Sequence, residues 1–95
     1  MIKSFKDKDT ERLYYQEPTK WIPRTIAKVA LRKLLMINAA ESLADLSIPP
    51  GNRLEMLRGD REGQWSIRIN DKWRIVFVPV GGGYDYEEVE IVDYH

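Results

Sequence analysis

Residues 64–77 read QWSIRINDKWRIVF, and the parity of the turn inside this stretch decides the fold. Trp65, Ile67 and Ile69 alternate with Ser66 and Arg68. Trp73, Ile75 and Phe77 alternate with Arg74 and Val76. Alternation of this kind marks a half-buried strand, and two such runs around Asn-Asp mark a hairpin. A two-residue loop at Asn70–Asp71 sets Ile67 opposite Arg74 and mixes the faces. An odd loop centred on Asp71 sets Ile67 opposite Ile75 and Trp65 opposite Phe77. Side chains alternate with period two, so only the odd loop keeps the apolar set on one side. It also sets Arg68 opposite Arg74, and like charges across a pair repel. Glu55, Asp60 or a bound anion such as phosphate would relieve that repulsion.

Outward from the hairpin, RLEMLRG (residues 53–59) reads as a preceding strand and YEEVEIVDYH (86–95) as a following one, after a glycine turn at 81–83. Those glycines do not lie between a strand and a helix, so they form no phosphate-binding loop. Towards the N-terminus, PPGN breaks the chain, and residues 41–52 read as a loop with room for one helical turn. The helix signal is strongest from Pro23 to about Ala40. There Ile26, Val29, Ala30, Leu34 and Ile37 recur at helical spacing, and Leu31 and Leu35 widen the face. Lys20, Arg24, Lys28 and Arg32 fall four apart on the other side, as either a solvated face or a phosphate-contacting one. Residues 7–16 read as a short helix capped by Asp9 or Thr10, with Leu13 and Tyr14 inward. MIKSF reads as a short strand. The order strand, helix, helix, then strands implies an α+β fold: a mostly antiparallel sheet with two N-terminal helices packed on one face.

The chain has 95 residues, enough for a single domain spanning 1–95. Formal net charge is zero, but it is unevenly spread. Residues 1–50 carry nine Lys/Arg against six Asp/Glu, 51–80 six against four, and 81–95 none against five. Zero net charge argues against strong non-specific nucleic-acid binding and leaves room for a local basic patch. There is no cysteine and only one histidine, so thiolate chemistry is excluded and a zinc site would need mostly carboxylates. The start lacks the apolar core of a secretory signal, and no apolar run is long enough to span a bilayer. The expectation is a cytoplasmic protein without metal or cofactor.

The stretch RLEMLRGDREGQWSIRINDKWRIVF, followed by YEEVEIVDYH, resembles the HigB-type killer toxins of the RelE/ParE superfamily, and the opening MIKSFKDKDTERLY is similar to that family's start. The joint signal is L-x-G-D-R-x-G-Q-W-S-I-R-I-N-D-x-W-R-I with a terminal D-Y-H. Some relatives carry histidine where Glu55 stands, and Arg58 occupies a place that is often lysine. The resemblance implies a RelE-like compact domain and an mRNA endoribonuclease acting in the ribosomal A site. It implies neutralisation by a HigA-like helix-turn-helix antitoxin, with operator DNA contacted only through the toxin–antitoxin complex. The alternatives are a ParE-like toxin that binds a target such as DNA gyrase, and a degenerate member that only regulates its operon.

Metal-free RNA cleavage needs a base for the 2′-hydroxyl, charge stabilisation at the phosphorane and an acid for the 5′-oxygen. Glu55 is the candidate base, or else an ion-pair partner of Arg68 or Arg74. Arg74, by the resemblance, binds the phosphate and the transition state, as its always-charged planar fork suits. Arg58, Arg61 and Arg68 would bind flanking phosphates. At the end of the last strand, which the resemblance places in the active-site groove, His95 would donate or shuttle a proton and Tyr94 would orient the nucleotide. Trp65 and Trp73 read as core rather than base-stacking residues.

Overall fold

The structure, a computed structural model, describes residues 1–93. Tyr94 and His95 lie outside them. Three helices come first: α1 (Lys8–Tyr14), α2 (Arg24–Ala39) and the short α3 (Leu43–Ser47). A 3₁₀ turn at Pro50–Asn52 leads to β1 (Glu55–Met56), and another at Gly59–Arg61 leads to β2 (Trp65–Arg68). Then follow β3 (Trp73–Val80) and β4 (Asp85–Asp93), all in one antiparallel sheet of order β1-β2-β3-β4.

The hairpin has the odd-loop register. Trp65 pairs with Phe77, Ile67 with Ile75 and Arg68 with Arg74. Asn70 Oδ1 accepts from the Lys72 and Trp73 amides at 2.9 and 2.8 Å, which closes the turn. One core cluster joins the α2 face of Ile26, Ala30, Leu34 and Ile37 to Ile67, Ile75, Phe77, Val89 and Ile91 of the sheet. Trp65 and Trp73 are half-buried against that cluster, and Trp73 stacks on Trp21 with ring centroids 6.2 Å apart. The sheet's other face carries Glu55, Ser66, Arg68, Arg74, Val76, Glu90 and Val92, as the register requires.

Four expectations need correction. MIKSF forms no strand: Ile2 and Phe5 make isolated parallel bridges to Tyr86 and Val89. The reason is a bulge in β4, where the register shifts between Val76 and Val78 and Glu88 takes a φ of 53°. The Glu88 amide turns to Ser4 Oγ at 2.9 Å, which interrupts the ladder. RLEMLRG shrinks to the two residues of β1, because Arg53 closes the 3₁₀ turn in the left-handed region at φ 45°. The α1 cap is Asp7, whose carboxylate accepts from both the Thr10 amide and hydroxyl at 3.0 and 2.7 Å. Pro23 is the α2 N-cap rather than its first helical residue.

Asp9, freed from capping, clamps the connector instead. Its buried carboxylate accepts from the Lys20, Trp21 and Ile22 amides at 2.8, 2.8 and 3.2 Å. Burial pushes the carboxyl pKa up, but these three donors and Arg12 outweigh it and leave the pKa below the ordinary value.

Candidate active site

Arg74 is the centre of the outer face. It is only 9% exposed although it lies on the side of the sheet away from α2. Its neighbours Ser66 and Val76 are also buried, and Val76 stands outside the main core cluster. A buried guanidinium needs acceptors, and the described residues supply at least three. Nε donates to Ser66 Oγ at 2.8 Å. Nη2 donates to the Arg53 carbonyl at 2.7 Å and lies 3.5 Å from Glu55 Oε1. The left-handed turn at Arg53 thus has a chemical consequence, since that residue supplies the carbonyl that Arg74 holds. Glu55 is 49% exposed on its side chain, so one carboxylate edge meets solvent while the other meets Arg74.

The expected repulsion between Arg68 and Arg74 is relieved by separate carboxylates. Glu55 takes Arg74. Arg68 Nη2 pairs with Asp71, an exposed turn residue, rather than with Asp60. Arg58 stands exposed at the head of the Gly59–Arg61 turn. Arg61 leaves that turn, donates to Gln64 Oε1 at 3.0 Å and lies 3.5 Å from Glu90 Oε2. Lys6 approaches the same oxygen at 3.3 Å from the other side. The structure therefore brings Glu55, Arg74 and Arg68 onto one face, with Arg61 reaching over it to β4. Tyr94 and His95 lie outside the described residues, directly after Asp93, which pairs with Trp73 beside Arg74.

Two groups near the site escaped the sequence reading. Ser66 is one, and its place opposite Val76 on the Arg74 side is implied by the same alternation. Lys33 is the other. It lies on the apolar stripe of α2, three residues after Ala30 and four before Ile37, and that placement is the signal that could have found it. It is buried, and Nζ donates to the Arg68 carbonyl at 2.6 Å. Burial pushes its pKa down, and Arg32, Arg68 and Arg74 push it further. Lys33 adds positive charge behind the arginine cluster while tying α2 to the end of β2.

The chemistry open to this face is anion binding. A fixed arginine fork beside a half-exposed carboxylate can hold a phosphate and accept a proton close to it.

A family model described as RelE-like toxin of type II toxin-antitoxin system HigB matches residues 3–95. The chain is 42% identical over 83 residues to Toxin HigB-1 of Vibrio cholerae, covering 86% of this chain and 87% of that one. It is 35% identical to Endoribonuclease HigB of Proteus vulgaris over the whole of both chains. Among solved structures, a YoeB/ParE toxin from Agrobacterium tumefaciens aligns with a TM-score of 0.57 at 18% identity, covering 99% of this chain and 98% of that one. The YoeB-YefM complex from Staphylococcus aureus aligns with a TM-score of 0.57 at 21% identity, covering 100% of this chain and 95% of that one. At these identities the structural likeness is one of fold.

Proposed function

The chain belongs to the HigB-like family of RelE-like toxins of type II toxin–antitoxin systems, and we infer that it is an endoribonuclease like its Proteus vulgaris relative. The observation that carries this reading is Arg74: a buried guanidinium held through Nε and Nη2 beside a carboxylate, on a face lined with further arginines. We propose that the substrate is mRNA in the ribosomal A site, and that a helix-turn-helix antitoxin of the HigA kind neutralises the activity. The proposed compartment is the cytoplasm. No helix among the described residues is long and apolar enough to cross a membrane.

The proposed cleavage follows the groups present. The substrate's 2′-oxygen attacks the adjacent phosphorus, and the 5′-oxygen leaves, giving a 2′,3′-cyclic phosphate and a 5′-hydroxyl. Arg74 holds the scissile phosphate and takes up the charge that grows on its oxygens in the phosphorane. It is already oriented by Ser66 and the Arg53 carbonyl, so little reorganisation is needed when that charge appears. Glu55, close to Arg74 and half in solvent, accepts the 2′-hydroxyl proton. His95 protonates the leaving oxygen and Tyr94 stacks on the nucleotide. Arg58 and Arg68 hold flanking phosphates.

Primer extension on a defined mRNA, with and without programmed ribosomes, tests this. In-frame cuts that need ribosomes and disappear in His95→Gln support the A-site reading. Cuts on naked RNA keep the nuclease and remove the ribosome. An absence of cuts, with growth still arrested on expression, replaces the nuclease with a toxin that acts by binding its target.

A further inference from the structure

Arg61 and Lys6 reach the outer face from opposite sides of the sheet. Arg61 comes from the turn between β1 and β2, whereas β4 lies two strands beyond β2. Lys6 comes from the N-terminal segment, whose amide donates to the Val89 carbonyl at 2.9 Å along the outer edge of β4. Both cations end on one atom, Glu90 Oε2, at 3.5 and 3.3 Å. Glu90 pairs with Val76 and Val92 with Arg74, so this meeting point lies on the Arg74 face, two residues along β4 from the register of Arg74. The Glu90 side chain is 15% exposed, while those of Lys6 and Arg61 are 50% and 38% exposed. A carboxylate held low between two more exposed cations stands where a phosphate oxygen would stand.

We propose that Lys6 and Arg61 form a second phosphate subsite, filled in the free chain by the Glu90 carboxylate as an internal competitor that an RNA phosphate displaces. The inference rests on the reading of this face as an RNA-binding surface. Glu90 then sets the affinity. In the free toxin it silences two cations, and RNA gains them only by returning Glu90 to solvent.

The test is fluorescence anisotropy with a labelled 2′-O-methyl RNA oligonucleotide, which lacks the attacking hydroxyl, titrated with the full chain across a series of KCl concentrations. Glu90→Gln binds several-fold tighter, and its plot of log affinity against log salt is steeper by about 0.7 for each phosphate newly neutralised. Adding Arg61→Ala to Glu90→Gln removes the gain. The exposed Glu87→Gln, on the same strand, controls for bulk charge. An equal gain there overturns the proposal, as does unchanged or weaker binding by Glu90→Gln. A second arm does not depend on Glu90→Gln folding. Lys6→Ala/Arg61→Ala in the wild-type background binds more weakly with a shallower salt slope, and unchanged binding overturns the proposal. Arg74→Ala separates this inference from the functional reading. If it binds as the wild type does, the phosphate site at Arg74 fails. If it loses binding while Glu90→Gln gains none, only the competitor role fails.

Discussion

Arg74 shows how one residue's role depends on its neighbours. Alternation and turn parity place it opposite Arg68, and the structure agrees. What the sequence does not show is how its donors are engaged by Ser66, the Arg53 carbonyl and Glu55. These contacts make the fork, not only the charge, the functional element. Arg74→Lys keeps the charge and loses the fork, so cleavage in the primer-extension assay should fall about a hundredfold or more. Circular dichroism should still show the native sheet. Tyr86 is a contrasting case. It is fully buried in the core, and its hydroxyl has no hydrogen-bond partner among the described residues. Burial first, and Asp45 second, push its pKa up to about 12. Tyr86→Phe removes an unsatisfied polar group, so thermal melts should show a stability equal to the wild type or about 1 kcal/mol higher.

At the scale of elements, the helices and the hairpin were legible and the joints between them were not. The α2 stripe and the hairpin register follow from periods of 3.6 and 2, which are local properties of the backbone. The length of β1 and the fate of MIKSF were decided elsewhere, by a left-handed residue after PPGN and by the bulge at Glu88. Such positions have no periodicity to read. Asp9 is the same kind of miss. It resembles a cap, but the cap is Asp7, and Asp9 fastens the segment entering α2. Asp9→Ala strands three amides, and urea denaturation should show a loss of roughly 2–4 kcal/mol. Gly83 joins the last turn to α3 at a φ of 96°, and a Cβ there would lie 2.5 Å from the Leu43 nitrogen. Gly83→Ala should lower the melting temperature by several degrees, since neither backbone can yield without disturbing β4 or α3.

At the scale of the whole molecule, zero net charge conceals a division of labour. The cations of the outer face are held by carboxylates of the same face or turn: Glu55 on Arg74, Asp71 on Arg68, and Glu90 on Arg61 and Lys6. Lys20 in the connector and the α2 cations Arg24, Lys28 and Arg32 remain exposed to solvent. A neutral total is therefore compatible with a surface that binds phosphate wherever phosphate outcompetes a carboxylate. Stability against pH should form a plateau with two limbs. Asp9 has a lowered folded pKa, so its contribution is present above the unfolded value and is lost as pH falls through the folded one. Tyr86 has a raised folded pKa, so its contribution is complete below about pH 10 and is lost as pH rises through about 12. Urea midpoints across pH should show both limbs, with the acid limb flattened in Asp9→Asn and the alkaline limb flattened in Tyr86→Phe.

By itself the sequence determined the fold class, the hairpin register, the buried face of α2 and the arginine-rich character of the outer face. Each of these follows from the backbone's own repeat and from which side chains water rejects. Only the tertiary structure decided which carboxylate meets which arginine, that Lys33 is buried behind them, and that Lys6 and Arg61 share Glu90. Those pairings join residues from 19 to 84 positions apart in the chain or depend on turns without a repeat, and electrostatic attraction depends on distance in space rather than along the sequence.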